Sequence, residues 1–247
     1  MAFRSWDGAT YDRISAPQAR WGAAVVKRLV LAGDERVLDA GCGSGRVTEV
    51  LLERLPRGSV VALDASPDML AAAERRLAGW DNVELVRADL AQPLPLDAPV
   101  DAVLSTATFH WVPDHDALFA NLAAVLRPGG QLVAQCGGAG NTASVLEAVR
   151  EVGDNLPGAV TFATPEETAR RLEAAGFVDA ETWLNAEPTV FDSREAFEEF
   201  LAAVCLGARL DRMPPDERAG FVRAVADRLP ACAIDYVRLN ITARRAG

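Results

Sequence analysis

The sequence predicts an α/β protein: a doubly wound, mostly parallel seven-stranded sheet with an antiparallel last strand and a small helical cap insertion. Short apolar runs at 37–40, 60–64, 83–86, 100–104 and 131–136 lack in–out alternation, as strands covered by helices on both faces do. Helical stretches separate these runs, giving the β–α alternation of a parallel sheet. The C-terminal part changes character. "FVDAETWL" reads as a strand, a helical region broken by "MPP" spans Ser193 to Leu229, and "AIDYVRLNITARR" alternates like an antiparallel strand.

Length and composition agree. At 247 residues, half of them hydrophobic, the chain can bury one large core, or a main domain with a small appendage. A net charge of −10 argues against a nucleic-acid partner. No apolar run reaches the ~20 residues of a membrane span, and "MAFRSWDGATYDR" lacks a signal-peptide core. The expectation is a cytoplasmic monomer or homodimer. Cys42, Cys136, Cys205 and Cys232 lie far apart without a CxxC pair and read as buried small residues. With two histidines and few acidic clusters, no metal is expected.

The elements follow in order. Trp21, Val25 and Leu29 have helical spacing ahead of the first strand. After that strand, "GCGSG" opens a helix whose apolar positions are Val47, Val50, Leu51 and Leu55. Ser66 is an N-cap and Pro67 the first helical residue of the next helix, with Met69, Ala73 and Leu77 as its buried stripe. "RPGG" at 127–130 is a turn that launches the fifth strand. Thr164, Pro165 and Glu167 start a helix with a capping box, and Gly176 stops it. The late helical region either stands over the sheet as a cap or packs on its flank as a hairpin.

Glycines at 41, 43 and 45 are costly in a regular element and imply a ligand lying against bare backbone. Nineteen residues beyond Gly45 the second strand ends in Asp64, where a carboxylate can accept both hydroxyls of a ribose. A dinucleotide fingerprint is GxGxxG; here the spacing is GxGxG, and Arg46 takes the position of the fingerprint's third glycine. Asp39, two positions before the first glycine, would repel a pyrophosphate and suit an ammonium. S-adenosyl-L-methionine, with an ammonium, a ribose and no phosphate, fits that set.

"VLDAGCGSG", "VVALDASPDML", "VELVRADL" and "LRPGGQL", taken in this order over about residues 35–135, resemble the class I S-adenosylmethionine-dependent methyltransferases. "FHWVPDHDALF" and the C-terminal helical insertion resemble more narrowly the trans-aconitate methyltransferase-like branch, whose members methylate small molecules. The resemblance implies a Rossmann-like cofactor-binding domain (35–191 and 231–247), an N-terminal lid or helical segment (1–34) and a helical cap (192–230). It implies that Asp39, Ala40, Gly41 and Gly43 hold the methionine end of the cofactor, and that Asp64 takes the ribose with Ala65 and Met69 beside it. Ala88, Asp89 and Leu90 would meet the adenine, and Ser105 or Thr106 would line the transfer site. In that family the N-terminal segment folds over the cofactor, which makes Tyr11, Gln18 and Trp21 candidates; the alternative for each is plain packing.

Methyl transfer is an in-line displacement that leaves S-adenosyl-L-homocysteine, so alignment and exclusion of water dominate. A base is needed only for an acceptor that starts protonated. His110, after the fourth strand, could be that base, could orient substrate, or could be packed and hydrogen-bonded to backbone; Trp111 could wall the pocket. His115, between Asp114 and Asp116, reads as a solvated residue at a helix start. The stretch lacks the Asp/Asn-Pro-Pro-aromatic signature of amino methyltransferases, which favours a small organic methyl acceptor, with oxygen, and carboxylate oxygen in particular, ahead. Phe197, Leu201, Val204 and Ala208 form one apolar stripe. Arg209 or Arg212, followed by Met213, could clamp a carboxylate, although a solvated surface charge is the plainer reading. Two rivals stand beside this one. A nicotinamide-dependent oxidoreductase suffers from the glycine spacing and the want of a Tyr-x-x-x-Lys pattern. A protein that senses the cofactor, or uses it in another reaction, would share the same binding residues.

Overall fold

The computed structural model describes residues 16–154 and 160–247, with side chains from residue 21 onward. Helix α1 (Ala16–Val26) precedes β1 (Arg36–Ala40), α2 (Arg46–Leu52), β2 (Ser59–Asp64), α3 (Pro67–Leu77) and β3 (Val83–Arg87). Then come β4 (Val100–Thr106), α4 (His115–Val125), β5 (Leu126–Gly137), α5 (Ala143–Glu151), α6 (Pro165–Ala174) and β6 (Phe177–Ala186). The chain ends in β7 (Thr189–Val190), α7 (Arg194–Phe200), α8 (Gly207–Leu210), α9 (Pro215–Ala226), β8 (Ala233–Ile234) and β9 (Val237–Arg245).

Seven strands form one sheet in the order β3–β2–β1–β4–β5–β9–β6, and β9 runs antiparallel to both neighbours. The apolar runs lie where they do because β1, β2 and β4 are covered on both faces, their central residues being fully buried. One apolar cluster centres on Leu38, Leu63, Phe119 and Leu132, the other on Val37, Val60, Leu51 and Leu104. Strands β3 and β6 close the edges and are half-exposed, which blurs their pattern. The reversal of strand order between β1 and β4 puts a crevice at their carboxyl ends, where Ala40, Asp64, Arg87 and Thr106 share one edge.

Local chemistry sets the helix ends. The Ser66 hydroxyl accepts from Met69 N, and Met69, Ala73 and Leu77 are the buried stripe of α3. Thr164 and Glu167 form a reciprocal capping box on α6, and Gly176, at φ +86°, follows its end. Trp21, Val25 and Leu29 are all buried, Leu29 just beyond the end of α1.

Three expectations change. "RPGG" is absorbed into β5: Leu126 already pairs with Val100, and Gly129 at φ +75° takes up a bulge before regular pairing resumes. Cys42 and Cys136 are buried, whereas Cys205 and Cys232 are half-buried; all are free thiols. Between α7 and α8, Leu201–Cys205 make a single π turn, with Leu206 N donating to Leu201 O at 2.8 Å. The extra residue advances the helix phase, so the inward positions after Leu201 are Leu206 and Leu210, while Val204 and Ala208 are only half-buried.

The helices between β7 and β8 leave and re-enter at the same sheet edge as the crevice, since Ala186 pairs with Val237 and Gly137 with Arg238. The β7–β8 ribbon forms their neck. Their core of Phe197, Phe200, Leu201 and Leu206 is continuous with Trp21 of α1, Val145 and Val149 of α5, and Tyr236. Truncating Phe197, fully buried there, to alanine should lower unfolding free energy by ~3–5 kcal/mol, read as a lower urea midpoint.

Candidate active site

The turn after β1 is pinned by Gly41 N and Cys42 N, which donate to Leu63 O at 2.8 and 2.9 Å. All three glycines have positive φ, yet they meet different surroundings. A Cβ on Gly41 would lie 2.2 Å from Thr108, whose hydroxyl also donates to Gly41 O at 3.1 Å. A Cβ on Gly45 would lie 3.1 Å from Leu77, so this glycine lets α3 pack close. A Cβ on Gly43 would meet nothing within 4 Å. The expectation of bare backbone at all three is therefore corrected to Gly43 alone: the protein's own threonine covers the first glycine and a helix the third.

Two carboxylates flank that opening. Asp39 is 1% exposed; its Oδ2 accepts from Thr48 Oγ1 at 2.7 Å, and its Oδ1 has no partner among the described residues. Burial, with a smaller push from Asp64, raises its carboxyl to about 6 against the opposing Thr48 bond. Asp64 accepts from Gly43 N at 2.9 Å and from Ser66 N at 2.8 Å. Burial raises its pKa as well, opposed by those backbone donors.

The other side of the crevice is set by the turn after β4. Ala107 adopts φ +55° and donates to Gln135 O at 2.7 Å. A non-glycine residue there stores strain of about 1 kcal/mol, and this turn directs Thr108 onto Gly41. His110 is buried, lies face to face with Phe162 at 5.9 Å, and touches the half-exposed Trp111 at 5.2 Å. Gly137 N donates to its Nδ1 at 3.3 Å. A neutral ring accepting at Nδ1 carries its hydrogen on Nε2. Burial first, then the charges of Arg238 and His115, push this histidine down to about 3, so the ring is a neutral donor at physiological pH.

Comparison with known proteins agrees with this geometry. A family described as a methyltransferase domain matches residues 37–130, the span from β1 to the bulge in β5. The trans-aconitate 2-methyltransferase of Methylobacterium nodulans is 32% identical over 97% of this chain and 98% of its own length. The chain belongs to the class I S-adenosylmethionine-dependent methyltransferases, in the trans-aconitate methyltransferase-like branch. The fold is similar to that of the YcgJ protein of Bacillus subtilis (TM-score 0.67, 15% identity, 92% of this chain and 99% of that one). It is also similar to geranyl diphosphate C-methyltransferase of Streptomyces coelicolor A3(2), solved with S-adenosyl-L-homocysteine (TM-score 0.59, 19% identity, 95% and 80% covered).

The other candidate residues of this methyltransferase take the following places, and His115 and Arg209 sit otherwise than the sequence implies. Tyr11 and the Gln18 side chain lie outside the described residues. Trp21 is buried at 5%, edge-on to Tyr236. Met69 and Leu90 are buried at the rims of the crevice, and Ala65 and Ala88 are half-buried beside them. Asp89 accepts from Ala91 N at 2.9 Å, a turn-making bond that uses one of its two oxygens. Ser105 donates to Ala40 O at 2.7 Å and ties β4 to β1 inside the sheet, which leaves Thr106 as the half-buried residue at the strand tip. His115 is not solvated: it is 5% exposed and bonded through Nε2 to Phe109 O at 3.0 Å, while Asp114 caps α4. Arg209 is not a free surface charge but forms a half-buried pair with Asp154 at 3.0 Å. Arg212 is exposed, and Met213 packs on the cap core.

Two residues escape a sequence reading. Thr108 gives no sign that it folds back on Gly41. Arg238 is 3% exposed, with its guanidinium 4.8 Å over the Trp21 ring. In "VRLNITA" it shares a face with Asn240, and the alternation could have betrayed it only if that face were known to be covered by Trp21 of α1 and by Arg28 just after it.

The electrostatics of Asp39 give a direct test. A buried carboxyl held near 6 instead of 3.8 opposes folding at neutral pH and favours it as pH falls through that range. Asp39→Asn should therefore stabilise the ligand-free protein at pH 7.5 by up to ~3 kcal/mol in denaturant titrations, a gain that shrinks toward pH 4.

Proposed function

We propose that this methyltransferase methylates a carboxylate oxygen of a small organic acid, with no general base. The observation that carries the reading is His110, whose Nδ1 is engaged by Gly137 N and whose hydrogen sits on Nε2. Such a ring donates a hydrogen bond and takes up a proton only by becoming a cation near Arg238. Phenols, alcohols and amines reach a site largely protonated at pH 7, whereas a carboxylic acid arrives ionised. The name of the Methylobacterium nodulans relative, a trans-aconitate 2-methyltransferase, points to the same acceptor class.

The residues present fit S-adenosyl-L-methionine: an unpartnered buried carboxylate oxygen on Asp39, an open glycine at 43, and Asp64 at the next strand tip. When bound, that cofactor supplies an electrophilic methyl group on a leaving group that needs no protonation. On our reading Asp39 offers its free oxygen to the ammonium. Asp64 accepts the ribose hydroxyls, with Ala65 and Met69 alongside; Ala88, Asp89 and Leu90 border the adenine; and Ala40, Gly43 and Thr106 line the path to the methyl group, with Gly41 shaping it from behind Thr108. Trp111 and Phe162 keep water from the acceptor side, where charge disappears as reaction proceeds and an apolar wall therefore does not oppose it. His110 Nε2–H orients the acceptor. The acidic net charge and the lack of a helix able to cross a membrane among the described residues fit a cytoplasmic enzyme for small molecules.

Incubation with methyl-labelled S-adenosylmethionine and a panel of carboxylic acids, phenols and amines should put label into base-labile esters; label confined to phenols or amines would overturn the reading. Asp64→Ala should weaken S-adenosylhomocysteine binding by ~1.5–3 kcal/mol in calorimetry. For the same ligand, affinity should fall as pH drops below about 6, because protonation of Asp39 removes the charge facing the ammonium. Asp39→Asn should remove most of that pH dependence, leaving only a smaller contribution from Asp64.

A further inference from the structure

We propose that Thr108 is a positioning residue for methyl transfer. Its hydroxyl ties the glycine turn after β1 to the turn that carries His110, and so sets the line along which the acceptor meets the methyl group. The assignment goes beyond the acid-methylating reading above and holds whichever acceptor is methylated.

The sheet parts early between β1 and β4. Their pairing ends at Asp39 and Leu104, whereas β1 stays paired with β2 through Ala40, and β4 with β5 through Thr106. The helices that follow these two strands, α2 and α4, pack into the two opposite apolar clusters, so the strand tips must separate. Side-chain hydroxyls bridge the gap where the backbone ladder has stopped. Ser105 donates to Ala40 O at 2.7 Å inside the sheet. One step further out, the Thr108 hydroxyl lies 3.1 Å from Gly41 O and 3.0 Å from Thr106 O. Its single hydrogen is shared between carbonyls at the tips of the two strands. Ser105 is 1% exposed and belongs to the core, whereas Thr108 is half-buried at the crevice.

Thr108 touches both halves of the reaction. On the cofactor side it fills the space over Gly41, which Leu63 O holds from behind through Gly41 N at 2.8 Å. On the acceptor side its own carbonyl accepts from Trp111 N at 2.8 Å and opens the tight turn Phe109–Trp111. His110 within that turn is held at its far end by Gly137 N, and Ala107, just before Thr108, is fixed to Gln135 O. In-line transfer forms the bond from acceptor to methyl carbon as the carbon–sulfur bond breaks, and the electron pair stays on sulfur. Its rate follows the aim of the acceptor, and a shift of about 1 Å costs about 100-fold. Removing the Thr108 hydroxyl unties the two turns and leaves the acids their own partners: Thr48 for Asp39, and Gly43 N and Ser66 N for Asp64. The loss should therefore fall on the transfer step and spare cofactor binding.

The test compares wild type with Thr108→Val, Thr108→Ala and Thr108→Ser. Single-turnover transfer of labelled methyl to trans-aconitate reads the chemical step, and calorimetry with S-adenosylhomocysteine reads cofactor affinity. Thr108→Val and Thr108→Ala, which lack the hydroxyl, should each slow transfer by about 30-fold or more. In both, KM for trans-aconitate and Kd for S-adenosylhomocysteine should move by no more than about three-fold. Thr108→Ser, which keeps the hydroxyl, should transfer within about three-fold of wild type. A role in stability alone would lower the urea midpoint and leave transfer by the folded variants near the wild-type rate. That result would overturn the assignment, as would a Thr108→Ser as slow as the other two, or a loss of transfer matched by an equal loss of S-adenosylhomocysteine affinity. Wild type that leaves trans-aconitate unlabelled but labels a phenol or an amine would overturn the acid-methylating reading alone, and the same variants compared on that acceptor would still decide the role of Thr108.

Discussion

A carboxylate buried at the tip of a central strand, with one oxygen bonded and the other facing no protein donor, is the constraint around which this molecule is arranged. Asp39 is tolerated there because Thr48 on the following helix feeds one oxygen, and because the neighbouring acid, Asp64, draws its charge toward the backbone donors of Gly43 and Ser66. Burial raises the pKa of both acids, Asp64 adds a smaller push on Asp39, and the pair makes the hollow between them attractive to a cation. The glycine turn serves the same end. Only Gly43 leaves open space; Gly41 and Gly45 lack side chains so that Thr108 and α3 can come close enough to shape it.

Across the same sheet edge the polarity reverses. Beyond β4 and β5 the sheet edge carries Arg238 against the Trp21 indole, with Glu187 bonded to the same indole, and the histidine beside the arginine is kept uncharged by burial first and by that arginine second. Along the sheet edge, in strand order, paired acids are followed by an uncharged histidine and then by a buried arginine. A cofactor bearing a positive sulfonium and ammonium would be drawn to the acidic side without a specific contact for every atom.

The helices inserted before β9 bear on this edge through packing. Their core is continuous with Trp21 and Tyr236, so the indole beneath Arg238 is held by residues from α1, α5 and the insertion together. The Arg209–Asp154 pair adds a tie between the insertion and the segment after α5.

The alternation of apolar runs and helices, the capping of α3 and α6, the acids at 39 and 64 and the glycine spacing between them are all legible in the chain itself. Each is a local requirement: a strand covered on both faces must be apolar throughout, and an orphan N–H at a helix start needs a nearby oxygen. The three glycines looked alike because sequence records a missing side chain and not what fills its place. His115 passed for solvated, and Arg209 for a free cation, because burial and pairing depend on Phe109 and Asp154, the latter 55 residues away in the chain. One π turn shifted the inward face of the insertion by a residue that no propensity marks. The chain alone determined the fold and the acidic end of the crevice, whose groups sit at adjacent strand tips by topology. The cationic end, with the tautomer of His110 and the stacking of Arg238, was decided only when β5, β9 and α1 came together, since charge in a protein is set by neighbours distant in sequence.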